Sequence, residues 1–338
     1  MKRLFKIVLP FAISFVMVFT FASCGDSNDS DAGKPIEFVV AHVDPDDSVM
    51  GENFLWFEEY VEENTDGQVD VVVNANGSLG GEREIVESIQ MGDVHLSLPA
   101  LSVLSTYDEK FNIFEIPFVL DDYDAFIKAY DGEVGDMVKE WATEYGFQIY
   151  GWAPFGFRGL SNSVREVKTP ADIEGLKIRC IESDMYLKMF KDIGANPTPM
   201  SFSEIYTALQ QGTIDGQDNP PEITYTSKFA EVQNYYTTLN HVMCNGVYIT
   251  NADYMANLPE DIRAVIEEGI QGMSDLHREK TNVRTEECLQ SMRDDGLTVT
   301  ELTDGERAQF KALVTGIHDQ YKEILGKDIW NKLLECNN

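Results

Sequence analysis

The sequence has little positive charge for its size. It contains 26 lysines and arginines against 58 aspartates and glutamates in 338 residues, which gives a formal net charge of −32 at pH 7. An acidic excess of this size repels phosphate backbones and anionic lipid surfaces, so it excludes nucleic-acid binding and peripheral attachment through basic patches. The chain still has 43% hydrophobic and 11% aromatic residues, enough for well-formed cores. The acidity therefore belongs to a solvated surface, and the length predicts two domains.

Residues and motifs for catalysis are also scarce. The chain has five histidines, and it lacks a nucleophile elbow, a Walker loop, a dinucleotide fingerprint and a paired-histidine zinc motif. Besides Cys24, the cysteines are Cys180, Cys244, Cys288 and Cys336. Their long, irregular spacings resemble neither a zinc site nor a disulfide framework, although a single bridge stays open. We therefore predict that the protein is not an enzyme and that it uses no cofactor or metal.

The N-terminus has the pattern of an exported lipoprotein. A basic start (residues 1–6) precedes an apolar run (7–21) and the small residues before Cys24, as in a secretory signal peptide. Cys24 resembles the lipidated cysteine of bacterial lipoproteins, and the polar residues after it suit a flexible linker. We predict a signal peptide over 1–23, a tether over 24–34, and a location in the periplasm or on the outer face of the cytoplasmic membrane, lipid-anchored through Cys24. The alternative is a single transmembrane anchor, since the apolar run approaches the length that spans a bilayer.

The rest of the chain alternates strand and helix patterns. Between residues 36 and 98 the order is β-α-β-α-β with crossover-length helices, which predicts a mostly parallel sheet with helices on both faces. The same alternation restarts near residue 147. Ser201 and Glu204 have the spacing of a capping box, which marks the start of a helix in this second half. Two α/β lobes are therefore predicted.

One later segment predicts how the lobes are joined. From Pro259 to about Asp295 the chain carries apolar residues at helical spacing, with proline at the start and glycine just after the end. At about 1.5 Å per residue, roughly 36 residues would reach some 54 Å, which is longer than either lobe. An unbroken helix of this length must cross both lobes, as suits a protein that closes by hinge bending. The predicted lobe boundaries are residues 35–155 plus 245–284 for lobe I and 156–244 plus 285–338 for lobe II.

Two arginines stand in apolar segments and are candidates for binding. Arg158 lies between aromatic residues and glycines, and Arg179 ends a predicted strand. A buried arginine needs a partner, because an unpaired buried charge is costly. The partner is either an acid of the chain itself or a ligand carboxylate that the planar guanidinium holds from solution. Periodicity does not separate these two interpretations.

Several ordered motifs resemble a known family over essentially the whole mature chain. They lie at residues 65–67, 78–82, 116–118, 175–179, 194–210, 212–220 and 228–233. Together they resemble the substrate-binding proteins of TRAP (tripartite ATP-independent periplasmic) transporters, of the dicarboxylate-binding type. The resemblance implies an α/β, two-lobed periplasmic-binding-protein-like architecture, with mixed sheets and with the lobes bridged by the long helix and crossing strands. It also implies a small organic acid as ligand and the small and large membrane subunits of the transporter as partners.

The resemblance assigns roles to residues of the second lobe. Arg179 corresponds to the arginine that forms a salt bridge with the ligand carboxylate, and Arg158 to a second arginine that assists it. Asn219 corresponds to an asparagine that contacts the same part of the ligand, whereas Asp218 replaces a usual glutamate. Phe202 corresponds to an aromatic residue packed against the ligand, with ordinary core packing as the alternative.

Three further positions are predicted to surround the ligand. Glu182 resembles a pocket-rim position that varies with the ligand, and His42 and Glu82 lie where relatives reach across from the opposite lobe. The alternatives are a strand-end histidine with satisfied hydrogen bonds for His42, and a glutamate favoured by the helix dipole for Glu82.

The resemblance favours hexuronates and related sugar acids as ligands, because the stretch at residues 156–162 is similar to that of sugar-acid binders. C4-dicarboxylates come second, because they call for a second cationic contact in the far lobe, and none is evident there. Outside transport, the alternatives are a ligand receptor for a sensor kinase and an α/β enzyme acting on a carboxylated sugar.

Overall fold

The computed structural model describes residues 34–338. The strands are β1 Ile36–Ala41, β2 Val69–Asn74, β3 Leu96–Ser97, β4 Phe147–Phe157, β5 Gly159–Asn162, β6 Lys177–Cys180, β7 Asn196–Pro199, β8 Gly216–Asn219, β9 Tyr235–Thr238, β10 Met243–Asn251 and β11 Thr298–Glu301. The α-helices are α1 Val49–Asn64, α2 Glu82–Met91, α3 Tyr123–Asp131, α4 Glu133–Thr143, α5 Pro170–Ile173, α6 Asp184–Asp192, α7 Ile205–Gln210, α8 Pro221–Thr226, α9 Ala252–Asn257, α10 Glu260–Asp294, α11 Asp304–Leu313 and α12 Thr315–Glu335. Short 3-10 helices span Leu101–Thr106, Glu109–Asn112, Phe202–Glu204 and Phe229–Val232.

These strands form two mixed sheets. The first sheet has the order β2-β1-β3-β10-β4, with β1 parallel to β2 and β3, and β10 antiparallel to β3 and β4. The second sheet has the order β11-β9-β5-β8-β6-β7, with β5 antiparallel to its two neighbours and the remaining pairs parallel. The predicted α/β class with mixed sheets is confirmed. The antiparallel pairs are those of β5 and β10, the first strand after each of the two direct crossings between the sheets.

Two of the crossings of the chain between the sheets lie at adjacent places, and α10 makes a third. Strand β4 of the first sheet and β5 of the second are separated only by Arg158, and β9 of the second sheet leads back to β10 of the first. The backbone N–H of Arg158 donates to Val242 (2.8 Å), and its carbonyl accepts from Asn240 (3.0 Å). Arg158 is therefore fixed by hydrogen bonds at the point where both crossings meet.

Helix α10 spans the two sheets, as the sequence predicts. Its first half buries Ile266 and Met273 in a cluster with Phe38 and Phe57 of the first-sheet side. Its second half buries Leu289 and Met292 in another cluster, with Tyr236 of β9. Within its bounds, 35 residues form one unbroken helix, at about 1.5 Å of rise per residue. The predicted long bridging helix is confirmed.

Local capping signals behave largely as expected. The side chain of Ser48 caps α1 by accepting a hydrogen bond from Gly51 N (3.0 Å). The predicted capping box of Ser201 and Glu204 is present, but it opens a 3-10 turn that continues directly into α7. Both helices therefore start where side-chain oxygens satisfy free backbone donors.

The predicted lobe boundaries stay a prediction. The C-terminal helix α12 contacts α4, which precedes the first-sheet strand β4, and also α6, which follows the second-sheet strand β6. The hydroxyl of Tyr321 in α12 accepts a hydrogen bond from Asn112 (2.9 Å), and Asn112 in turn accepts one from Ser183 (3.3 Å). This helix therefore ties elements of both sheets together.

The predicted signal peptide and Cys24, with all of the tether except Lys34, lie outside the described residues. Across residues 34–338, no helix is both long and apolar enough to span a membrane. The cysteines in that range are Cys180, Cys244, Cys288 and Cys336, and all have free thiols, so the bridge that the sequence left open is not formed among them.

Candidate ligand-binding site

A cavity of about 30 Å³ lies between the two sheets, and we call it the inner cavity. Its walls are formed by Val43, Asp44, Met50, Glu82, Ala100, Phe155, Arg158, Arg179, Ile181, Phe202, Asn219, Ile223 and Cys244. An adjoining space of about 20 Å³, the outer cavity, shares four of these residues and adds Arg83, Val103, Thr106, Glu182, Met200 and Ser201. Side chains from both sheets therefore meet around one space, with the predicted arginines in its wall.

Arg179 has no carboxylate partner within the described part of the chain. It lies in β6 and is only 3% exposed. Its Nε and Nη2 both donate to the carbonyl of Met200, at 3.0 and 2.9 Å. No aspartate or glutamate among residues 34–338 forms an ion pair with it, and burial lowers the pKa of Arg179 even though the Asp218 charge acts in the opposite direction. This is the behaviour of a buried cation that lacks a counter-ion.

Arg158 has its partners inside the protein. Its Nη1 donates to the Asp218 carbonyl and to Asn219 Oδ1, both at 2.9 Å, and lies 3.7 Å from a carboxylate oxygen of Asp218. Its Nη2 is 3.1 Å from the sulfur of Cys244, and its guanidinium carbon lies 5.5 Å from the centre of the Tyr186 ring. Burial alone would lower the pKa of Arg158, but these neighbours raise it. The internal-partner interpretation thus fits Arg158.

The asparagine and aspartate at the end of β8 complete this arrangement. Asn219 is buried, accepts the hydrogen bond from Arg158 and donates to Gln217 Oε1 (2.6 Å). The Asp218 carboxylate lies 3.3 Å from His241 Nε2 as well as beside Arg158. Sequence reasoning missed Asp218 as the counter-ion of Arg158, because a pairing between distant segments leaves no local pattern.

Glu82 lies on the opposite wall, in both cavities. It begins α2, and its Oε1 accepts a hydrogen bond from the Ala100 backbone N–H (2.8 Å). Burial raises the pKa of Glu82, while this hydrogen bond and the charges of Arg179 and Arg158 oppose the rise. The structure therefore brings Glu82 to the cavity, where the sequence analysis expects it.

Asp44 is a second acid on this wall, and the sequence analysis missed it. It follows β1, is 3% exposed and lines the inner cavity. Burial raises the pKa of Asp44 well above its usual value, and the charges of Glu222 and Glu82 raise it further. The sequence does show an acid just after a buried strand. The polar residues that follow it, at 46–48, indicate the cap of the next helix and draw attention away from it.

His42 is not brought to the walls of either cavity. Its ring is 2% exposed and stacks on Phe54, with ring centres 5.1 Å apart. Neither ring nitrogen has a hydrogen-bond partner within residues 34–338, and burial lowers the pKa of His42 to about 4. His42 is therefore a neutral core residue in this conformation, without the satisfied hydrogen bonds of the alternative interpretation.

Phe202 and Glu182 both line a cavity, and their roles towards a ligand stay predictions. Phe202 is half-buried, lines both cavities and packs its ring against Phe229, with centres 5.6 Å apart. It contacts the cavity and the core at once, so the two interpretations of this residue are compatible. Glu182 is exposed and lines only the outer cavity, which is a rim position.

Comparison with known proteins identifies the family. The profile of the bacterial extracellular solute-binding proteins, family 7, matches residues 40–324, and the chain belongs to this family. It is 33% identical to the C4-dicarboxylate-binding periplasmic protein of Rhodobacter capsulatus over 297 residues, which cover 87% of this chain and 89% of that protein.

Solved structures agree with the sequence comparison. The sugar acid binding protein of Advenella mimigardefordensis in complex with galactonate superposes with a TM-score of 0.87 at 29% identity, covering 90% of this chain and 98% of that one. A TRAP periplasmic solute-binding protein of Shewanella oneidensis with bound succinate gives the same TM-score and identity, covering 90% and 100%. The predicted resemblance to TRAP substrate-binding proteins and the two-lobed fold are confirmed. This is a family of extracytoplasmic solute-binding proteins and not of enzymes.

Proposed function

We propose that this protein captures an organic acid for a TRAP transporter through a salt bridge between Arg179 and the ligand carboxylate. One observation carries the proposal: Arg179 is a buried guanidinium in the cavity wall that is bonded to a carbonyl but to no carboxylate of the described chain. A ligand carboxylate supplies the missing counter-ion, with the two-pronged geometry that arginine favours. The ligand is then delivered to the small and large membrane subunits of the transporter.

Arg158 and Asn219 act as a rigid support in this proposal. Arg158 is held by Asp218, Asn219 and Cys244, so its side chain keeps one conformation when the ligand binds. It adds positive potential to the cavity from this fixed position. Such a preorganised group gives up little side-chain entropy on binding. Phe202 covers the apolar part of the ligand, and Glu182 stands at the rim.

Closure follows from the way the sheets are joined. Two crossing strands and α10 connect the sheets, while the cavity is walled by both. We propose that lobe I (35–155 plus 245–284) and lobe II (156–244 plus 285–338) close on the ligand by bending at these connections. Closure expels water and strengthens the charged contacts of Arg179.

The proposed ligand class is the sugar acids, hexuronates included, with C4-dicarboxylates as the second candidate. Relatives of similar identity bind galactonate in one case and succinate in another, so likeness alone does not choose between the two classes. The proposal also keeps lipid anchoring through Cys24 after removal of residues 1–23, and this part rests on the sequence pattern alone.

A ligand screen followed by titration tests the proposal. A thermal-shift panel of uronates, aldonates, dicarboxylates and branched-chain oxo-acids identifies the ligand, because a compound that binds only the folded state raises the melting temperature. Calorimetric titration of that ligand then compares the parent protein with Arg179→Met. Removing one partner of a buried charge pair costs about 3–5 kcal/mol. We therefore expect the affinity of Arg179→Met for the ligand to fall by at least about 100-fold.

Arg165→Met is the matched control. Its guanidinium also donates to backbone carbonyls, those of Asp172 and Glu174, yet it lines neither cavity. We expect this variant to bind with parental affinity. Near-parental affinity in Arg179→Met, or a panel in which no carboxylate stabilises the parent protein, would contradict the proposal.

A further inference from the structure

The two walls of the inner cavity carry different ionisable groups, arginines on one and acids on the other. Arg158 and Arg179 come from the second-sheet side, while Asp44 and Glu82 come from the first-sheet side. Asp44 follows β1, and Glu82 opens the helix after β2. Since β1 and β2 are parallel neighbours, their carboxyl ends lie at one edge of the sheet, and the segments that follow them bring the two acids to the same wall.

Asp44 has no hydrogen-bond partner for its carboxylate in the described part of the chain. It is 3% exposed, and it lines the inner cavity. Within residues 34–338 no backbone or side-chain group donates a hydrogen bond to this carboxylate, whereas Glu82 accepts one from Ala100. The carboxylate oxygens are not among the enclosed unpaired atoms of these residues, so they open onto the cavity. A group that enters the cavity with donors to offer therefore finds free acceptor oxygens at Asp44.

We propose that Asp44, assisted by Glu82, selects a polyhydroxylated monocarboxylate and rejects a second carboxylate at the far end of the ligand. The inference rests on the proposed function, in which Arg179 holds the single carboxylate. Hydroxyl groups on the remaining carbons donate to the two acids across the cavity. A dicarboxylate places its second negative charge against this wall, where it loses hydration and meets acceptor oxygens but no cation.

One other cation needs to be accounted for. Arg83 lines the outer cavity and is the only cation there besides Arg179. Its side chain is 55% exposed and is already paired with Glu87 at 3.2 Å, one turn along the same helix. An exposed arginine that is already paired contributes little binding free energy to a second carboxylate of the ligand. The charge of the inner cavity is thus set by the two arginines on one wall and the two acids on the other.

Titrations with galactonate and succinate test this inference in the parent protein, Asp44→Asn and the control Asp46→Asn. Asp46 has the same charge and lies two residues away, but it is exposed and outside both cavities. We expect the parent protein and Asp46→Asn to prefer galactonate. In Asp44→Asn the galactonate-to-succinate affinity ratio falls at least about 10-fold, since the amide has one acceptor oxygen in place of two and offers N–H donors to the second carboxylate. Glu82→Gln shifts the ratio in the same direction and serves if Asp44→Asn does not fold.

The outcomes separate this inference from the proposed function. A parent protein that binds succinate as tightly as galactonate, or an unchanged ratio in both variants, overturns the selection by Asp44 while leaving capture by Arg179 intact. Unaltered binding in Arg179→Met overturns the proposed function itself. Running Arg179→Met with the same two acids therefore shows which of the two has failed.

Discussion

The two buried arginines of the inner cavity have similar sequence surroundings but different partners. Arg158, at the crossing between the sheets, is held by Asp218, Asn219 and Cys244. Arg179, in β6, is bonded only to the carbonyl of Met200 among the described residues. The difference teaches that burial of a cation does not by itself mark a binding residue. What matters is whether the chain supplies the counter-ion, and here it does so for only one of the two.

The largest expected effect on stability comes from Arg158→Met. The substitution leaves Asp218 buried with His241 as its remaining partner, so we expect a loss of about 3–5 kcal/mol in the free energy of unfolding. Urea denaturation of the ligand-free protein measures it. Adding Asp218→Leu to Arg158→Met removes the stranded charge and should recover part of the loss. A single variant as stable as the parent would show that the pair is not what fixes Arg158.

A smaller effect is expected from His42→Phe, in the core behind the wall that faces the arginines. Burial lowers the pKa of His42 to about 4 from 6.5, so the unfolded state binds the extra proton between these pH values. The contribution of the neutral histidine to the free energy of unfolding is fully present above pH 6.5. This contribution, up to about 3 kcal/mol, is lost as the pH falls towards 4. Phenylalanine keeps the stacking on Phe54 and cannot be protonated.

Comparing unfolding free energies of the parent protein and His42→Phe from pH 7 to pH 4 isolates this contribution from that of the acids. We expect the unfolding free energy of His42→Phe to rise relative to that of the parent protein as the pH falls. A difference that stays constant over this range would mean that His42 is exposed to protonation in the folded state.

The smallest effect is expected from Glu182→Gln at the rim. Glu182 is exposed and lines only the outer cavity, so solvent screens its charge from the ligand. We expect less than about a twofold change in affinity, measured by calorimetric titration of the same ligand used for the arginine variants. A tenfold change would extend the charged part of the site to the rim.

Much of the fold was accessible from the sequence because its signals are local or periodic. The apolar spacing between residues 259 and 295 predicted α10 almost to the residue, and alternating strand and helix patterns predicted the α/β class. The site was accessible only in part. Arg158 and Arg179 stood out as charges within apolar segments, but no spacing rule states that one of them is paired with Asp218.

Asp44 and His42 show the same limit on the first-sheet side of the site. His42 directly follows β1 and Asp44 lies two residues later. Only the three-dimensional path of the chain turns the acid towards the cavity and the ring towards Phe54. A residue's position just after a strand places it near the ligand-binding edge of the sheet. The direction of its side chain is decided by packing that the sequence does not display.

The most direct measurement is the unfolding free energy of ligand-free Arg179→Met beside that of Arg158→Met, in one buffer and by one denaturant. If Arg179 lacks an internal counter-ion, replacing it with an apolar residue of similar length leaves the stability unchanged or raises it, while Arg158→Met loses about 3–5 kcal/mol. An equal loss of that size in both variants would show that Arg179 is also paired within the chain, and it would contradict its role as the ligand's partner.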